Sequence, residues 1–106
     1  MSGEQPSVAA PVPLVLPAEL THAQGRTVLA MLVQTLRAEP QGAVVLDGSP
    51  LTRFDSTALA VVLESRRTAL AQGRAFAVRS LPAPLRELAG LYGVQDLLPD
   101  AAAEAS

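Results

Sequence analysis

The chain has 106 residues, of which 49% are apolar and 3% aromatic, with a net charge of −2 and a pI near 5.2. That composition suits one domain with a core of leucine, valine and alanine, and it argues against gross disorder. A mildly acidic chain lacks the basic face that phosphate-backbone binding needs, and a chain without cysteine has neither a disulfide nor a thiolate metal site.

Taken in chain order, residues 1 to 10 are small, polar and Pro-containing, which predicts a loose tail without the basic start of a signal peptide. The apolar stretch from Val8 to Leu20 is broken by Pro11, Pro13 and Pro17, and no run approaches the ~18 residues of a membrane span. A soluble, cytoplasmic protein is expected. Val12, Leu14 and Leu16 alternate with Pro13, Val15 and Pro17. This is a strand pattern whose prolines cannot donate to a ladder, so the strand is expected to be short or at an edge.

Thr21 and Gln24 have the spacing of a capping box. Behind them Val28, Leu29, Leu32, Val33 and Leu36 fall on one helical face, and Glu39-Pro40-Gln41-Gly42 stops the helix. Gly25 costs up to ~1 kcal/mol relative to alanine, which moves the expected start toward residue 26. The continuous apolar run Ala43-Val44-Val45-Leu46, followed by Asp47-Gly48-Ser49-Pro50, predicts a strand buried on both faces.

A second helix, capped by Asp55 or Ser56, is expected to run to about Gln72. Leu59, Val62, Leu63, Ala69 and Leu70 form its expected inner face, with the stem of Arg66 packed alongside. Gly73 supplies the C-terminal stop. Ala75 to Val78 make the next strand. Pro82 and Pro84 open a third helix with Leu85, Leu88, Ala89 and Tyr92 on one face, and Gly93 ends it. Val94 to Leu98 form a short apolar piece, and residues 100–106 a second loose tail. Alternating strands and helices over residues 11–99 predict an α/β domain, a small largely parallel or mixed sheet with helices packed against it.

Catalytic constellations are missing. The lone histidine, His22, has no second histidine or cysteine with which to hold a metal. Neither a Gly-x-x-x-x-Gly-Lys-Ser/Thr loop nor a Gly-x-Gly-x-x-Gly turn is present. Asp47 and Asp55 straddle a turn, and a turn aspartate and a helix cap explain them better than an acid/base pair. No catalytic residue, cofactor or metal ligand is assigned. The working feature is the turn Phe54-Asp55-Ser56-Thr57, which presents hydroxyls at the positive end of a helix dipole. Its purely structural reading is a capped first turn with Phe54 as a hydrophobic staple.

The run Phe54-Asp55-Ser56-Thr57-Ala58-Leu59-Ala60, with Val44-Val45-Leu46-Asp47 before it and a helix ending at Gln72-Gly73 after it, resembles the STAS domains, the sulfate-transporter and anti-sigma-factor-antagonist modules. Leu16-Pro17-Ala18-Glu19-Leu20, Leu88-Ala89-Gly90-Leu91-Tyr92-Gly93-Val94 and Leu97-Leu98-Pro99 resemble the MlaB-like branch of that family in particular. The resemblance implies a STAS-like fold and a non-catalytic accessory subunit, cytoplasmic and held at the inner membrane by its partners. Those partners are the ATPase subunit of a phospholipid-transporting ABC complex and, through it, a membrane permease. The subunit supports assembly and activity and hence outer-membrane lipid asymmetry.

Carried onto this chain, the resemblance implies partner binding at Arg53, Asp55, Ser56 and Thr57. In the sigma-factor branch it implies instead an antagonist of an anti-sigma factor, with Ser56 phosphorylated by a partner kinase. Ala58 stands where many family members have glycine. Its methyl is expected to limit close approach of a partner backbone, which favours docking over a phosphorylation switch. The short, Pro-rich N-terminal region suggests that the family's opening hairpin is reduced to one strand.

Overall fold

Proline decides where the first strand sits. The structure, a computed structural model, describes residues 12–39 and 41–101. β1 (Val12–Val15) pairs in parallel with β3 (Val44–Asp47), placing Leu14 opposite Leu46. The Leu16 amide donates to the Asp47 carbonyl at 2.9 Å, so the even-numbered residues of β1 face β3. Pro13, with no N–H, occupies a register position whose backbone points away from β3, so no bond of the β1–β3 ladder is lost. β3 pairs in parallel with β5 (Phe76–Arg79), Leu46 opposite Val78, giving the order β1-β3-β5. All pairing among the described residues is parallel. The expected fold class, α/β with a small parallel sheet and three helices, is what the chain adopts.

Among the described residues three α-helices pack with the sheet: α1 (Gly25–Ala38), α2 (Ser56–Ala71) and α3 (Ala83–Leu91). α2 is central, packed against α1, α3 and β5. The core gathers Leu14, Leu46 and Val78 from the sheet with Leu32 and Leu36 of α1, Leu59 and Val62 of α2, and Leu85 of α3. Gly73 and Gly93 close α2 and α3 at φ +73, the left-handed conformation expected of a helix stop.

Several expectations need correction. The capping box forms only by half. The Thr21 amide and hydroxyl donate to Gln24 Oε1 at 2.8 and 2.7 Å, but Gln24 is the cap and the helix starts at Gly25, not 26. β3 is not buried on both faces. Val44 and Leu46 are enclosed, while Val45 and Asp47 on the other face are half-covered, because the core collects on one side of the sheet. The inner face of α2 is rotated from the predicted one. Ala58, Val61 and Ser65 are buried along with Leu59, Val62 and Ala69, whereas Leu63 is half-buried and Leu70 is 44% exposed. A helix with neighbours on three sides buries more than one stripe, and a single-face wheel misjudges its edges. Tyr92 is exposed because α3 ends at Leu91, leaving the tyrosine as its C-cap beyond the predicted face.

Two features were not anticipated. β2 (Glu19–Leu20) and β4 (Arg53–Phe54) form a separate two-residue parallel pair, Leu20 opposite Phe54, and among the described residues β2 makes no hairpin with β1. Arg74, 5% exposed, sends its guanidinium to the carbonyls of Leu36, Gln41 and Gly42 and to Gln72 Oε1 at 2.7–3.1 Å. The Leu36 carbonyl belongs to the last turn of α1, where a cation is favoured by the dipole. Arg74 thus fastens the end of α1 to the start of β5. At the other end of the domain, the Val78 amide donates to Pro99 O at 2.8 Å, and Asp100 pairs with Arg86 at 3.1 Å, so this segment runs along the edge of β5. The expected tail 1–10 and residues 102–106 of the expected tail 100–106 lie outside the described residues, while Asp100, the first residue of that second tail, is bridged to Val78 and paired with Arg86.

Candidate functional site

The four residues singled out, Arg53, Asp55, Ser56 and Thr57, are brought together where β4 leads into α2. The approach to this turn is fixed by backbone. The amides of Thr52 and Arg53 both donate to the Ala18 carbonyl, at 2.8 and 3.0 Å, and Phe54 is half-buried against the core. Arg53 is 79% exposed and faces Glu19 at 3.7 Å, a weak surface ion pair that leaves its guanidinium accessible.

Asp55 is the N-cap of α2, and its carboxylate is divided between two tasks. Oδ1 accepts from the Thr57 amide at 2.8 Å, the local cap, and Oδ2 accepts from the His22 amide at 3.1 Å, thirty-three positions away in the chain. The bond from Thr57, followed by the one from His22, holds the carboxyl below the usual aspartate range. Asp55 is therefore a positioning residue that ties the turn before α1 to the start of α2. His22 takes part through its backbone, a role that no reading of its imidazole anticipates.

Ser56 and Thr57 part company. Ser56 is exposed, and its hydroxyl has no hydrogen-bond partner among the described residues. Thr57 is half-buried with its methyl pressed against Gly25 of α1. The first turn of α2 holds no acidic side chain of its own, so the dipole at Ser56 is answered only by the capping Asp55. Ala58 corrects an expectation. It is fully buried in the core, so its methyl points inward and cannot obstruct a partner. Ala58 therefore gives no reason against modification of Ser56.

Asp47 is likewise accounted for locally. Its Oδ1 accepts from the Ser49 amide at 2.9 Å and its Oδ2 meets Arg79 at 3.4 Å, and both lower its pKa, the Ser49 amide most. Asp47 and Asp55 each serve their own turn. Among the described residues no group of three or more histidine, cysteine, aspartate or glutamate side chains could hold a metal. No helix there is long and apolar enough to cross a membrane.

Beside the turn runs a shallow groove between α1 and α2. His22, Gly25, Arg26 and Leu29 form one side, and Thr57, Ala60, Val61 and Glu64 the other. The site is thus an exposed hydroxyl and an exposed guanidinium on a rigidly held turn, next to a half-apolar cleft. That arrangement suits recognition of a surface.

A family model described as "Mlab, STAS domain" matches residues 6–99. A solved structure described as an anti-sigma-factor antagonist (STAS) domain protein from Planctomyces limnophilus is similar in fold, with a TM-score of 0.70 at 13% identity, covering 83% of this chain and 79% of that one. No curated protein matches the chain.

Proposed function

This chain belongs to the MlaB-type STAS domain family, and we propose that it is a non-catalytic accessory subunit that binds the ATPase of a phospholipid-transporting ABC complex. Domains of this family are generally regulatory or binding modules. On this reading the subunit is cytoplasmic, reaches the inner membrane through the ATPase and its permease, and supports the assembly and activity that maintain outer-membrane lipid asymmetry. The observation that carries the reading is the turn at the start of α2. Asp55 holds it from both sides, while Ser56 is exposed without a partner among the described residues and Arg53 is exposed with only a weak surface pair to Glu19. A pre-ordered surface loses little conformational entropy on docking. Tagged protein isolated from its native host is expected to retain an ABC ATPase. Recovery of none removes the reading's main support.

A second reading has one observation in its favour. Because Ala58 is turned inward, the Ser56 hydroxyl is unobstructed at a helix N-terminus, where a phosphate is stabilised. On that reading the chain is an anti-sigma factor antagonist switched by a kinase at Ser56. Intact-mass measurement of native protein, grown with and without stress, distinguishes the two. A recurrent increment of one phosphate mapped to Ser56 supports the switch, and its consistent absence counts against it.

A further inference from the structure

The outer side of α1 carries a second surface, continuous with the docking turn. Arg26 and Leu29 border both the groove beside Thr57 and a shallow depression that continues along α1 past Ala30 and Val33 to Arg37. Leu29, packed in part against the core, and Val33 are half-buried, and Ala30 is exposed, so the floor of this stripe is mostly apolar, with exposed Gln34 on its border. Arg26 and Arg37 stand at its two ends. They are eleven residues apart, about three helical turns or roughly 16 Å, and therefore on the same side of the helix. Both are exposed, and neither has an ion-pair or hydrogen-bond partner among the described residues. The nearest acid on the opposite wall, Glu64, is taken up by Arg67 at 3.4 Å. In a chain of net charge −2, a mostly apolar stripe with a guanidinium at each end, neither ion-paired among the described residues although Arg37 is favoured by the dipole at the last turn of α1, is a local reversal of sign.

We infer that this stripe receives an amphipathic helix of the partner ATPase, one whose apolar face covers Leu29, Ala30 and Val33 and whose carboxylates, about three turns apart, meet Arg26 and Arg37. The inference rests on the proposed function and deepens it by giving the chemistry of the partner's contact. A helix laid in a groove reads as apolar anchors at helical spacing, and Arg–carboxylate pairs fix its register. The three α-helices among the described residues do not supply such a ligand. α1 has no acidic residue, α2 has only Glu64 and α3 only Glu87, so a second copy cannot offer two carboxylates on one helix. An anionic membrane is disfavoured by the net negative charge of the whole chain.

The test places a benzophenone amino acid at Ala30 in one variant and at Ser56 in another, each expressed in the native host and irradiated, with the captured peptides read by mass spectrometry. The inference expects the Ala30 probe to capture an ABC-ATPase peptide carrying two acidic residues about three helical turns apart. Arg37→Glu, a charge reversal at an exposed position, is expected to lower that capture about tenfold. Replacing the facing carboxylate on the captured peptide by lysine is expected to restore it. Capture of a lipid, of a second copy or of a peptide without carboxylates overturns the inference, as does a yield indifferent to Arg37→Glu. If Ser56 captures the ATPase and Ala30 does not, the stripe is not the contact but the proposed function stands. If neither probe captures an ABC ATPase, both fall.

Discussion

Gly25 at the start of α1 lies so close to Thr57 in the first turn of α2 that a Cβ on the glycine would collide with the threonine methyl. A glycine that looks like a weakness in a helix is what allows the two helices to meet at the turn that opens α2. Gly25→Ala therefore faces opposed effects. Helix propensity gains up to ~1 kcal/mol, and overpacking costs ~1–3 kcal/mol. We expect a net loss of about 1 kcal/mol in urea unfolding. Thr57→Ser removes the colliding methyl, so the double variant should recover most of that loss. Strictly additive effects would contradict the contact.

Arg74 should matter to stability more than any other charged residue. Its buried guanidinium serves three backbone carbonyls and Gln72. Arg74→Met keeps much of the bulk but leaves those carbonyls without a donor, at an expected cost of ~2–4 kcal/mol. Arg74→Lys should recover only part, because an ammonium lacks the fork that reaches separated oxygens. Faster amide exchange at the C-terminal turn of α1 is expected in both, and unchanged exchange there would argue that α1 is anchored elsewhere.

Leucine truncations along α2 report its rotation. Leu59 is 3% exposed, Leu63 half-buried and Leu70 44% exposed. Leu59→Ala should cost ~2–5 kcal/mol through the cavity it leaves, Leu63→Ala less, and Leu70→Ala under ~1 kcal/mol. Equal losses at the three positions, measured by denaturant midpoints, would refute the packing described.

Asp55 sets an acid-side dependence. Its folded pKa is lowered by the amides of Thr57 and His22, so the unfolded chain binds the proton more readily than the folded one. The resulting stabilisation is present above the unfolded value, about 3.9, and is lost as pH falls through the lower folded value. Asp47 acts in the same direction through Ser49 and Arg79. Asp55→Asn can still accept a capping bond, but its unfolding midpoint should fall less steeply than wild type as the pH drops below about 4. Identical slopes would mean that the carboxylate is not engaged as described.

Much of the fold was legible because short apolar runs alternate with amphipathic stretches and glycines stand where helices stop. Leu32 and Leu36, Val44 and Leu46, and Gly73 and Gly93 all behave as their spacing indicates. The turn that opens α2 was legible as a cap, since aspartate before a hydroxyl pair is a local signal. What was hidden is tertiary. No local pattern marks Arg74 as buried, because its partners are carbonyls of a distant helix end and loop. Two residues each of β2 and β4 are too few for any periodicity to show. The inward turn of Ala58 depends on α2 being packed on three sides, and the use of His22 through its amide depends on where Asp55 arrives in space.

The claim on which the account turns is that the first turn of α2 meets an ABC ATPase through Ser56. The most direct measurement is the amount of that ATPase recovered with tagged chain from the native host, compared between wild type and Ser56→Asp. A second carboxylate beside Asp55 adds repulsion and bulk at the contact without disturbing the cap. An ABC ATPase is expected with the wild type and a severalfold loss with Ser56→Asp. Equal recovery with both, or no ABC ATPase with either, would contradict the claim.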